Sequence, residues 1–177
     1  MKINGHHLKE ALKLWDARRT ASASLFDNSL TKFATEEKRS PEEIMGEYLL
    51  AEDNISKLQT EQMRYNLAVQ VKARGEEMPL ARAIKKIGGI SRAAKSWKAA
   101  ASVRKLSRYE THDPSTVSRS TDTEYATRTI SYEDALELSE KAGADTSAFR
   151  IAISSGNAQM IDSDLDTAIF CGVETGT

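Results

Sequence analysis

The sequence predicts a mostly α-helical protein, with three long helices in an antiparallel bundle or coiled-coil-like arrangement over residues 1–106, then a polar loop and two short C-terminal helices. Three observations carry that prediction. Apolar residues recur at three- and four-residue spacings, one segment holds a heptad seam from Ile44 to Val69, and helix start signals stand where the periodicity begins.

The first helix is expected from near Asn4 to about Lys38, with Leu8, Leu12, Trp15, Phe26, Leu30 and Phe33 on one face. Its middle, DARRTASAS between Trp15 and Leu25, breaks the pattern. Small residues there would let another helix approach, while Arg18 and Arg19 would need water or a partner; a solvated, partly loose stretch is the expectation. The second helix opens on Ser40-Pro41-Glu42-Glu43, an N-cap serine, proline at the first helical position and a capping-box glutamate. Ile44, Tyr48, Ala51, Ile55, Leu58, Gln62, Tyr65 and Val69 then repeat at alternating spacings of four and three. Gln62 is the one fully polar seam position; it either sets register from a buried site or snorkels to the seam edge.

That helix is expected to end at Gly75, which with Glu76 and Glu77 makes a turn, and Pro79 suits the start of a third helix. Leu80, Ile84, Ile87, Ile90, Ala94 and Trp97 continue the pattern, and Val103 and Leu106 extend it less regularly. Gly88-Gly89 interrupts it. Adjacent glycines cost about 1 kcal/mol each against alanine in a helix interior, so a kink or close helix crossing is expected. Residues 107–130, rich in Ser, Thr and charge, read as a polar loop or arm, with a short strand suggested over 123–130. Within the acidic region 131–177, a fourth helix should start at Ser131 and stop at Gly143, a fifth should run from Asp145 to Gly156-Asn157, and Leu165, Ile169 and Phe170 should dock on the bundle ahead of a frayed end.

Composition narrows the function classes. Of 177 residues 40 % are apolar and 29 % charged, which excludes collagen-like and intrinsically disordered chains. No apolar run reaches the roughly 20 residues of a membrane span, and MKINGHHLKE lacks the apolar core of a signal peptide. A cytoplasmic location, or one inside an assembled particle, is therefore expected, and the lone Cys171 agrees with a reducing compartment. The net charge of −1 conceals blocks: residues 1–79 hold 12 basic and 13 acidic groups, 80–109 hold 9 and 0, and 110–177 hold 4 and 13.

No Gly-rich phosphate loop, HExxH, paired CxxC or GxSxG motif occurs in the chain. His6 and His7 are adjacent and point to different helix faces, suiting an exposed N-terminus rather than a shared metal site. His112-Asp113 before Pro114 reads as solvated turn chemistry. Asp162, Asp164 and Asp166 alternate like the opening of an EF-hand loop, but Thr167 and Val173 stand where the glycine and the bidentate glutamate belong, so an acidic turn or cap is expected. Cys171, beside Phe170, reads as an inert, partly buried thiol. Neither a metal nor a cofactor is expected.

The basic block comprises Arg82, Lys85, Lys86, Arg92, Lys95, Lys98, Arg104, Lys105 and Arg108. Nine cations would attract nucleic acid by counterion release, yet they spread around a helical wheel, and only Trp97 and Tyr109 could stack on bases. Neutralisation by the C-terminal carboxylates, within the chain or between subunits, is the leading reading; nucleic acid or another anionic partner are the alternatives.

Four stretches, LKEAL at 8–12, LQTEQMRYN at 58–66, RGEEMPLARAI at 74–84 and FRIAISSGN with the later DLD at 149–166, make the order of features similar to the DIP1984 (septicolysin-like) family of small bacterial helical proteins. Asn66, Gly75, Leu80, Arg150, Ile153, Asn157, Asp164 and Leu165 carry the likeness, and Ala158 departs from it where the family has a tryptophan. The resemblance implies a helical fold without an established enzymatic activity.

The expected function is accordingly a non-enzymatic helical interaction or assembly protein that self-associates, such as a structural component of a phage or mobile-element assembly. One alternative is a nucleic-acid-binding module using residues 82–108. The other is an enzyme with a non-contiguous site drawn from the polar candidates Gln62, Asn66, Arg150 and Asn157.

Overall fold

The structure is a computed structural model that describes residues 1–32, 38–102 and 129–171. It is mostly helical, with two small antiparallel sheets. Among the described residues the helices are α1 (Gly5–Ser29), α2 (Pro41–Ala68), α3 (Leu80–Ser102) and α4 (Tyr132–Ala158).

Helix α1 starts as expected, with the Asn4 carboxamide oxygen accepting the His7 N–H at 2.9 Å. It stops at Ser29, short of Lys38. The Lys38 ammonium donates to the Asn28 and Thr31 carbonyls at 2.9 and 2.8 Å and satisfies acceptors at and just beyond the helix end. Helix α2 has the predicted Ser40 cap, whose hydroxyl accepts Glu43 N–H at 3.1 Å, with Pro41 in the first turn. Its seam faces inward. Ile44, Ala51, Ile55, Leu58, Tyr65 and Val69 are buried, and Tyr48 and Gln62 are half-buried at its edge. Helices α1 and α2 pack antiparallel, so that Arg19 meets Glu52 and, farther along α1, Leu25 shares a groove with Ile44.

Helix α2 does not continue to Gly75. It ends at Ala68, and β2 (Gln70–Ala73) and β3 (Glu76–Pro79) form a hairpin in which Val71 faces Met78. The two-residue loop Arg74-Gly75 has φ of 54° and 83°, the paired positive values of a type I′ turn. Val69, Val71 and Ala73 alternate inward, and Met78 on the return strand and Leu80 at the start of α3 are buried with them. Pro79 therefore closes β3, opposite Gln70, rather than opening α3.

Helix α3 runs unbroken through Gly88-Gly89, and no other element comes within 4 Å of a Cβ built at either position among the described residues. The expected close crossing is absent there. Its predicted extension through Val103 and Leu106, the arm at 107–128 and the main part of the suggested strand lie outside the described residues, as do His112 and the last six residues.

The two expected C-terminal helices are one. Ser131 caps it, accepting Asp134 N–H at 2.9 Å, and α4 then passes through Gly143. A single interior glycine costs about 1 kcal/mol. Burial of Ala135, Thr146, Phe149 and Ala152 on one face of α4 outweighs that cost. Beyond α4, β4 (Ile161–Asp162) pairs with β1 (Lys2–Ile3), so the N-terminus is a strand with Ile3 fully buried instead of an exposed end. Asp166 caps the 3-10 turn Thr167–Phe170, accepting Ala168 N–H at 2.9 Å, while Ile169 and Phe170 are buried.

Backbone contacts divide the chain into two bodies, residues 1–84 with 151–177 and residues 85–150. The core of the first contains Ile3, Leu8, Leu58, Tyr65, Met78 and Leu80, all completely enclosed.

Candidate functional site

The small-residue run in α1 does what its composition suggests. Where the seam would place large side chains, Ala21 and Ser22 leave an open groove of about 380 Å³ between α1 and α2, lined also by Trp15, Arg18, Leu25, Glu47 and Leu50. Trp15 forms one wall, its indole N–H donating to the Ile169 carbonyl at 2.8 Å. The Arg18 guanidinium lies 4.5 Å above that ring, an electrostatically favourable stack that also leaves charge at the rim. Leu25 leads into an adjoining cavity of about 190 Å³ bounded by Asn28, Ser29, Lys38, Arg39 and Ile44. Leu25 and Leu50 are 46 % and 54 % exposed, which makes apolar packing surface the main offering of this groove.

Its rim is held by ion pairs. Arg39 donates to Glu47 at 3.2 Å, and that hydrogen bond keeps the Glu47 carboxyl below the ordinary range. Arg19, which the sequence left in need of a partner, pairs with Asp16 and, at 3.3 Å, with Glu52, to which Tyr48 also donates at 3.0 Å. A second apolar row, Leu49, Met63 and Leu67, lies on the face of α2 turned away from the seam, each at least 60 % exposed.

A polar clasp secures the far end of α2. Both Glu61 carboxylate oxygens accept from Arg64, with Nε at 2.9 Å, and Arg64 also donates to the Asp162 carbonyl at 2.6 Å, tying α2 to β4. Arg64 holds the Glu61 carboxyl below its ordinary value, ahead of an opposing desolvation effect. One residue on, the Tyr65 hydroxyl sits 2.7 and 2.8 Å from the Gly156 and Gln159 carbonyls, and burial pushes its acidity below that of a free phenol.

The polar candidates Gln62, Asn66, Arg150 and Asn157 are divided between the two bodies, Arg150 in residues 85–150 and the other three in the body of residues 1–84 and 151–171. The first two stand one turn apart on α2, half-buried; Asn157 packs against Gly5; Arg150 is exposed; and no hydrogen bond or ion pair joins them among the described residues. The basic block is sorted instead of pooled. Arg82 pairs with Glu76 at 3.0 Å, Lys86 lies 5.6 Å over the Phe149 ring, and Lys85, Arg92, Lys95 and Lys98 are exposed. Arg104, Lys105 and Arg108 lie outside the described residues. Cys171 is exposed rather than partly buried, because the 3-10 turn directs Ile169 and Phe170 inward and ends before it. The small residues that make the groove are legible in the sequence but its other wall is not, since Leu25 meets Glu47 and Leu50 only where α1 and α2 pack antiparallel. No helix among the described residues is long and apolar enough to cross a membrane. No protein family, curated protein or solved structure matches the chain.

Proposed function

We propose that this chain is a non-enzymatic helical interaction protein that self-associates, serving as a building block of a larger assembly such as a phage or mobile-element particle. The observation that carries this reading is the apolar α1–α2 groove, floored by small residues and rimmed by Arg18, Glu47 and Arg39. A floor of Ala21 and Ser22 lets a helix backbone approach closely, and exposed Leu25 and Leu50 offer the surface such a helix would remove from water. The resemblance of the sequence to septicolysin-like helical proteins implies a helical fold without an established enzymatic activity, which agrees with the non-enzymatic part of this reading. Light scattering over a wide concentration range tests the proposal: multimers that shrink when Leu25→Glu and Leu50→Glu are combined support it, and a strict monomer at every concentration overturns it.

The exposed Lys85, Arg92 and Lys95 favour a second reading, nucleic-acid binding. It requires filter-bound duplex DNA whose affinity falls by about 0.9 log units per log unit of salt for each phosphate contacted.

A further inference from the structure

Within residues 85–150, α3 and α4 carry exposed stripes of opposite charge that no side chain among the described residues pairs with. On α3, Lys85, Arg92 and Lys95 fall at i, i+7 and i+10, one stripe on the side away from the half-buried Ile87, Ile90 and Trp97. On α4, Glu133, Glu137 and Glu140 fall at i, i+4 and i+7, one stripe on the side away from the buried Ala135, Thr146 and Phe149. All six are exposed, and none has a side-chain ion pair or hydrogen bond among the described residues. At 1.5 Å per residue the basic stripe spans about 15 Å and the acidic one about 10 Å, so their charges match in number and nearly in reach.

Like charges one turn apart on a helix repel, and each stripe is relieved by a surface of opposite sign. A chain that carries both stripes is complementary to itself. A two-fold arrangement sets the acidic stripe of each copy on the basic stripe of the other and makes the contact twice. Leu136 and Tyr132, 38 % and 51 % exposed on α4 toward one edge of the glutamates, supply apolar area to bury alongside the charges.

We infer that a second copy of this chain docks here, with Glu133, Glu137 and Glu140 of α4 against Lys85, Arg92 and Lys95 of its α3, reciprocally. This rests on the self-association proposed above and names the contact that directs it.

Charge reversal in the full-length protein separates the outcomes. One variant carries Arg92→Glu with Lys95→Glu, the other Glu137→Lys with Glu140→Lys, and circular dichroism of each should match the parent because all four positions are exposed. The parent should self-associate at low salt and at least tenfold more weakly at high salt, where screening shortens the Debye length to a few ångströms. Each variant alone should dissociate, since two of the three charges in its altered stripe then repel the stripe they would meet. An equimolar mixture should recover association as a heterodimer. If both variants associate like the parent, self-association stands but the stripes do not direct it. If the parent is monomeric throughout, the self-association reading itself fails. Duplex DNA retained by the parent and lost from the α3 variant, with no recovery of association on mixing, assigns the basic stripe to nucleic acid and overturns the inference.

Discussion

In the body formed by residues 1–84 and 151–171, Tyr65, Ile3, Leu8, Leu58, Met78 and Leu80 are fully enclosed; in residues 85–150 the described buried side chains are Ala101, Ala135, Thr146 and Phe149. One has a core of large apolar groups closed by a strand pair, a hairpin and an arginine clasp. The other has one large buried side chain among its described residues, capped by Lys86, and exposed stripes of basic charge on α3 and acidic charge on α4. Apolar burial is non-directional and is not weakened by ionic screening, whereas exposed charge is long-ranged and screened. The first body should therefore set the stability of the protein, and the second its response to ionic strength and partners.

The largest expected effect attacks the core directly. Leu58→Asp removes a fully buried leucine and places a carboxylate in its site, costing about 4 kcal/mol or more and lowering the melting temperature measured by circular dichroism by about ten degrees or more. A melt within two degrees of the parent would break the contrast at its root.

Gly156→Ala comes next. A Cβ there would lie 2.6 Å from Val71 Cγ1 and 3.1 Å from Leu80 Cδ1, so the α4–hairpin contact must open at a cost of about 1–3 kcal/mol. Chemical denaturation should show a lower midpoint with an unchanged slope.

A smaller effect is confined to acid. Because Arg64 depresses the native Glu61 carboxyl, the clasp contributes stability above the ordinary carboxylate range and loses it as pH falls through the depressed native value. Glu61→Gln should reduce stability at neutral pH and flatten the acid limb of the stability profile. Identical limbs for parent and variant would remove the clasp from the account.

The smallest effect has the opposite sign and lies in the second body. Nothing approaches within 4 Å of a Cβ at Gly143, so Gly143→Ala should raise stability by about 0.5–1 kcal/mol through helix propensity alone. Two glycine-to-alanine changes in one helix thus shift the midpoint in opposite directions; shifts of the same sign would show that the two bodies are packed alike.

Much of α2 was legible because its signals are local and agree. The Ser40 cap, Pro41 and the seam all depend on residues at most four apart, and the buried set follows them. The same seam concealed the hairpin: Tyr65 and Val69 keep a helical spacing, while Val69, Val71 and Ala73 alternate with period two, and both patterns fit the residues at the junction. Asn157 was a candidate for chemistry and proves to be a packing partner of Gly5. The clasp of Glu61, Arg64 and the Asp162 carbonyl had no sequence signal beyond an i, i+3 charge pair, since its third member is nearly a hundred positions away.

By itself the sequence determined helical class, the capped start of α2, its inward face and the opposed charge blocks, because period, capping and charge act over one or two turns. Tertiary structure alone decided that Gly143 is passed through rather than stopped at, that Gly156 lies against Val71 and Leu80, and that the N-terminus pairs with β4. In each case burial between residues far apart in the chain outweighs a local preference of about 1 kcal/mol, and no local pattern records what lies on the other side of a contact.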